Sequence, residues 1–131
     1  MQEASIEFDV SGKISTGIIR YSETDPYWVE AIISDKVVHS DGLDLFAALQ
    51  EVRRSLWKAE ISPLVNGARV DAYPSSMTRE MSGGLLAYLH ELGVRPSKSD
   101  LVNIFDRADA SMIGSVESQE KYFSTWQASI S

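Results

Sequence analysis

The stretch from Asn66 to Gly84 holds the densest set of chemically able side chains in this sequence: Asn-Gly-Ala-Arg-Val-Asp-Ala-Tyr-Pro-Ser-Ser-Met-Thr-Arg-Glu-Met-Ser-Gly-Gly. On a strand, Arg69, Asp71 and Tyr73 share one face at period two. Arg79 follows in a polar loop beside Ser75, Ser76 and Thr78. Two guanidinium groups with several hydroxyls could hold a carboxylate or a phosphate, so Arg69, Asp71, Tyr73 and Arg79 form a candidate small-ligand or enzymatic site. The same residues also suit a solvated strand face followed by a Gly83-Gly84 turn.

No second constellation of this kind accompanies them. His39 and His90 are the only histidines, and neither stands at ligand spacing from another histidine or a carboxylate pair. Cysteine is absent, which excludes disulfides, thiolate nucleophiles and thiolate zinc sites. The sequence has no Gly-x-Ser-x-Gly elbow and no glycine loop that would cradle a phosphate. The expectation is therefore no catalytic residue, no metal and no cofactor.

Charge is the other informative feature. Residues 1–44 carry nine acids against Lys13, Arg20 and Lys36, a net of −6, whereas the rest of the chain adds only −1 to the total of −7. An acidic field confined to one third of a domain favours basic partners and repels nucleic acid and anionic membranes. Within that third, Glu7, Asp9, Glu23, Asp25, Trp28 and Glu30 form a candidate partner-binding set. Large aromatics anchor interfaces, and carboxylates meet Lys or Arg across them. Trp28 is instead core if the phase of its strand is inverted.

The elements that position these residues follow from periodicity. Ile6, Phe8 and Val10 alternate with Glu3, Ser5, Glu7 and Asp9, a strand half-buried on one side. A Ser11-Gly12-Lys13 turn leads to a second strand over 14–21, and further strands are expected at Tyr27–Ile33 and, briefly, Val37–His39. Leu45, Leu49, Val52 and Leu56, widened by Phe46 and Trp57, predict a helix over Asp41–Glu60, capped by Ser40 or Asp41. Arg53, Arg54 and Lys58 suit its negative end. A strand over 64–73 precedes a polar segment to Gly84, and 85–92 and 101–105 read as two more strands, the first of which also fits a helical period. Ser115 caps a last helix, Val116–Ile130, with a stripe of Val116, Phe123, Trp126 and Ile130. Leu49, Val52, Leu56, Phe123 and Trp126 should be buried, and Trp57 also belongs to the core on this pattern.

The order strands, helix, strands, helix predicts an α+β fold, a single globular domain of 131 residues with a largely antiparallel sheet and two helices packed on it. The N-terminal residues lack the basic and apolar regions of a signal peptide, and no apolar run approaches the ~20 residues of a membrane span, so a cytoplasmic location without membrane contact is expected.

Asn66-Gly67-Ala68-Arg69, with Asp71, Tyr73-Pro74-Ser75 and Met77, resembles a pattern of small bacterial immunity-type proteins, single-domain partners of secreted or contact-delivered toxins. Met81-Ser82-Gly83-Gly84, the Leu101–Asp106 segment and the Val116–Gln119 helix start are similar to it too, so the resemblance covers about half of the chain. It implies stoichiometric binding of a toxin domain, often a nuclease, without intrinsic activity. A small-ligand-binding or enzymatic domain, and a structural adaptor, are the other function classes that the sequence admits.

Overall fold

The computed structural model describes all residues, Met1–Ser131. Alternation makes β1 (Gln2–Val10) and β2 (Lys13–Tyr21) a hairpin, closed by Ser11 and Gly12 with positive φ of 51° and 90°. A second hairpin joins β3 (Tyr27–Ile33) to β4 (Lys36–Gly42) through Ser34 and Asp35. With β5 (Ile61–Pro63) these strands form an antiparallel sheet in the order β4-β3-β2-β1-β5.

Because side chains alternate, one face of this sheet is apolar and the other mixed. Ile6, Phe8, Ile19, Val29, Ala31 and Ile33 are buried on the inner face. Gly17 lies there under the Phe8 ring: a Cβ would stand 2.6 Å from Phe8 Cε1 and 2.5 Å from the Ile32 carbonyl oxygen, so only glycine fits. Helix α1 (Leu45–Trp57) packs on this face through Leu45, Phe46, Ala48, Leu49, Val52 and Leu56. Its first turn is fixed by Asp44, whose Oδ1 accepts the Ala47 N–H at 2.8 Å.

The second half supplies a smaller antiparallel sheet, β6 (Ala72–Tyr73), β7 (Leu86–Leu89) and β8 (Leu101–Asn103), in the order β6-β7-β8. Helix α2 (Ser76–Ser82) precedes β7, and α3 (Val116–Ile130) runs along β6, capped by Ser115 as its sequence indicates. The seam between the halves is aromatic. Tyr73 stacks on Phe123 at 4.0 Å and meets Phe46 edge-on at 5.1 Å, while His90 lies 4.1 Å from Trp126.

The α+β class holds, but three helices are present rather than two, and the strands divide into two sheets. The first helix is shorter than Asp41–Glu60 because β4 runs on through Asp41 to Gly42 and Asp44 is the cap. The expected strand over 64–73 is broken by a 3-10 turn at Asn66–Ala68, where Gly67 passes under Leu49 and Ile104. The polar segment after it is α2, capped by Ser75 Oγ on Thr78 N–H and ended by Gly83 with φ 62°. Residues 86–89 form a strand, which resolves the helix alternative there. Phe123 is half-buried, not buried, and Trp57 is 48% exposed at the end of α1, off the core altogether.

Candidate functional site

Arg69, Asp71, Tyr73 and Arg79 do not converge on a ligand space; each is engaged by another side chain of the protein. Arg69 donates two 2.8 Å bonds to the Asp71 carboxylate, a bidentate pair that raises the pKa of Arg69 through the hydrogen bond. Tyr73 donates its O–H to Glu120 at 2.8 Å, and burial followed by this carboxylate pushes the phenol up to about 12. Arg79 reaches Asp44 at 2.7 Å and lies 5.5 Å and 5.6 Å from the Phe46 and Tyr73 ring centres. The four residues thus tie α2, β6 and α3 to the start of α1.

Behind them lies a polar latch that periodicity alone did not reveal. Arg53 is buried, where the sequence pattern only matches it to the negative end of α1. Its guanidinium donates to Gln119 Oε1 at 2.9 Å, to the Ala68 carbonyl at 3.2 Å, and to the carbonyls of Gly67 and Gly114. All four acceptors are neutral, so desolvation brings its pKa down to about 10, and the group remains charged at neutral pH. Gln119, fully buried, returns its amide to the Gly67 and Arg69 carbonyls at 2.9 Å each and accepts from Gln50. One signal was available: Arg53 stands four residues after Leu49 and three before Leu56, on the buried stripe itself.

His90 is another buried ionisable group. Its Nε2 lies 3.1 Å from the Tyr73 carbonyl oxygen, which can only accept, so Nε2 carries the proton. Nδ1 is then a buried acceptor without a partner. Desolvation lowers the pKa of His90, so the folded chain keeps the ring neutral. The unfolded chain takes up the proton first as pH falls below the ordinary histidine value near 6.5. Stability is therefore complete above that value and is lost as pH falls through the depressed one. Melting curves from about pH 7 to about pH 5 should show this loss, and a His90→Phe variant should show a shallower slope. No three histidine, aspartate or glutamate side chains gather at metal-binding distance.

The acidic candidates sit on or beside the outer face of the five-stranded sheet. Trp28, Glu30 and Ile32 point outward, opposite to buried Val29, Ala31 and Ile33, which settles the strand phase. Trp28 stacks on His39 at 5.3 Å and lines a cleft of about 300 Å³ with Glu23, Asp25, Pro26 and Met1. Cross-strand register places Glu3, Arg20, Glu30 and His39 in one row, with Ser5, Ile18, Ile32 and Val37 in the next. No outward side chain of β1 to β4 is buried.

Ion pairing divides these acids. Arg20 lies 2.7 Å from Glu3 and 3.8 Å from Glu30, and the His39 ring is 3.3 Å from Glu30. Arg107 donates to Glu7 at 2.8 Å from a loop 100 residues away, a neighbour that no sequence spacing announces. Glu23 receives only the Gln2 amide, and Asp9 caps the hairpin turn by accepting the Gly12 N–H at 2.8 Å. No helix is long and apolar enough to cross a membrane. No protein-family model and no curated protein matches this chain.

Proposed function

We propose that this chain is an acidic, stoichiometric protein-binding module that takes a cationic partner on the open face of its five-stranded sheet. Most concretely, it is an immunity protein of the bacterial cytoplasm that occludes a basic toxin domain, of nuclease type, and has no catalysis or cofactor of its own. One observation carries the reading: the make-up of the uncovered face. An apolar row of Ile18, Ile32 and Val37, with Ile14 and Trp28 near it, is framed by Glu3, Glu7, Asp9, Glu30 and Asp41. A face that merely meets water is polar throughout. Exposed Ile14 and Val37 with half-buried Ile18, Ile32 and Trp28, set within a ring of carboxylates, match the apolar centre and polar rim of an interface. Nuclease sites are basic because they hold phosphates, so such a face supports both steering toward one and covering it. The resemblance to immunity-type proteins supports the same reading.

The ion pairs rank the contacts. Glu7 and Glu30 already face cations, so the uncompensated charge lies with Glu23, Asp25 and Asp9. Joint charge reversal, Glu23→Lys with Asp25→Lys, is expected to slow association with a basic toxin domain about tenfold at low salt and far less at high salt. Trp28→Ala is expected to speed dissociation about 30-fold by removing an anchor. Stopped-flow association and surface-resonance dissociation read the two effects separately. Rates indifferent to all three changes would refute this interface and move attention to Asn66–Gly84.

A further inference from the structure

Trp57 is the one tryptophan among the large apolar residues left exposed. It is 48% exposed at the last turn of α1, and it forms the wall between two clefts of opposite charge. On one side, a cleft of about 360 Å³ is lined by Asp9, Glu60, Ser11, Gly12 and Ser62. On the other, a cleft of about 190 Å³ is lined by Arg53, Arg54, Lys58, Val116 and Glu117. Arg54 shares its charge with Glu51 and Glu117, and Arg53 is turned into the latch. Lys58 is therefore the free cation of the basic side; on the acidic side Glu60 is unpaired, while Asp9 accepts the Gly12 N–H. Neither Lys58 nor Glu60 belongs to any of the nine ion pairs within the chain.

An exposed tryptophan with free opposite charges on its two flanks is complementary to itself. A two-fold axis running beside Trp57, across the line from the acidic to the basic cleft, brings each acidic cleft onto the basic cleft of another copy. We propose that this surface is a self-association face and that its occupant is a second copy of this chain. The two indoles then meet near the axis, Lys58 of each copy faces Glu60 of the other, and two equivalent ion pairs flank a shared aromatic centre. Tryptophan is the residue type most enriched where binding energy concentrates, and charge pairing at the rim sets the register. The face lies at the β5 edge and the end of α1, apart from Glu23, Asp25 and Trp28. It shares only Asp9 with the proposed toxin-binding set, and variants at Trp57, Lys58 and Glu60 test it separately from that reading.

Sedimentation equilibrium of the intact chain at low salt tests it, with Trp57→Ala, Lys58→Glu and Glu60→Lys compared at equal concentration. All three positions are exposed, and melting curves confirm that each variant is folded. The wild-type chain should associate reversibly to dimers, and each variant should weaken association about tenfold or more. An equimolar mixture of Lys58→Glu and Glu60→Lys should regain wild-type association, because every pair in the mixed dimer again joins opposite charges. A wild-type chain that stays monomeric to about 1 mM, variants that associate like the wild type, or a mixture no stronger than its parts would each overturn the proposal.

Discussion

Replacing Arg53 with alanine is expected to remove about 3–5 kcal/mol of folding stability, a large share of the 5–15 kcal/mol typical of a domain. The reason lies in what the guanidinium leaves behind. It bonds Gln119 Oε1 and the carbonyls of Gly67, Ala68 and Gly114 where α1, α3 and the 3-10 turn meet; Gln50, Gln119 and the Gly114 N–H remain as second donors to the first three, so the Gly114 carbonyl alone loses its protein donor. An acceptor that loses its donor costs about 1–3 kcal/mol, and the lost bonds from a charged donor to the other three acceptors add to that cost. Arg53→Lys should recover little, because one ammonium cannot span a fork of acceptors that a planar guanidinium bridges. Urea unfolding measures both, and a loss below about 1 kcal/mol would show that the latch is not a keystone of the fold.

Leu49→Ala and Leu56→Ala should each cost about 2–5 kcal/mol, through lost apolar burial and the cavity that remains. Both leucines are fully buried, and the surroundings of Leu49 have little freedom to collapse. A Cβ on Gly67 would stand 2.6 Å from its Cδ2, so the turn is already pressed against it. Leu49→Ala should therefore lie toward the upper end of the range. Trp57→Ala, by contrast, should stay within about 1 kcal/mol, since a half-exposed side chain outside the core forms no cavity. The same denaturation series reads all three. An exposed-residue cost at Leu49, or a core-sized cost at Trp57, would invert the assignment of this helix face.

The first 57 residues were legible because one physical rule acts there at a time. Alternation through Ile6 and Phe8, and through Val29, Ala31 and Ile33, matches strands with one wet face, and the helical stripe Leu49-Val52-Leu56 matches the buried side of α1. The middle of the chain resisted because its strands are only two to four residues long, too short for alternation to register. Helix α2 hid within Ser75–Gly84 because its seven residues carry no apolar stripe, although its serine cap and glycine stop were both present. Trp57 was misassigned because it was read as widening the apolar stripe, whereas the last turn of α1 buries only Arg53 and Leu56.

The candidate site followed the same logic. Arg69, Asp71, Tyr73 and Arg79 were recognised as a polar group, but their partners Asp44 and Glu120 lie 35 and 47 residues away in sequence. What reads as an open anion site in one dimension closes on itself in three. The acidic third kept its character on folding, yet Arg107 and Arg20 redistribute its charge, so the free carboxylates are fewer than the sequence suggests.

Inhibition by titration tests the central claim most directly. The proposed role predicts a basic toxin domain encoded beside this chain's own gene; the purified chain is added to it in increments and its nuclease activity is followed. A stoichiometric binder predicts a linear fall to zero with a break at one chain per toxin domain, and a break that disappears when Trp28→Ala is combined with Glu23→Lys and Asp25→Lys. Activity unaffected by an excess of the wild-type chain, or inhibition unchanged in the triple variant, would contradict the account.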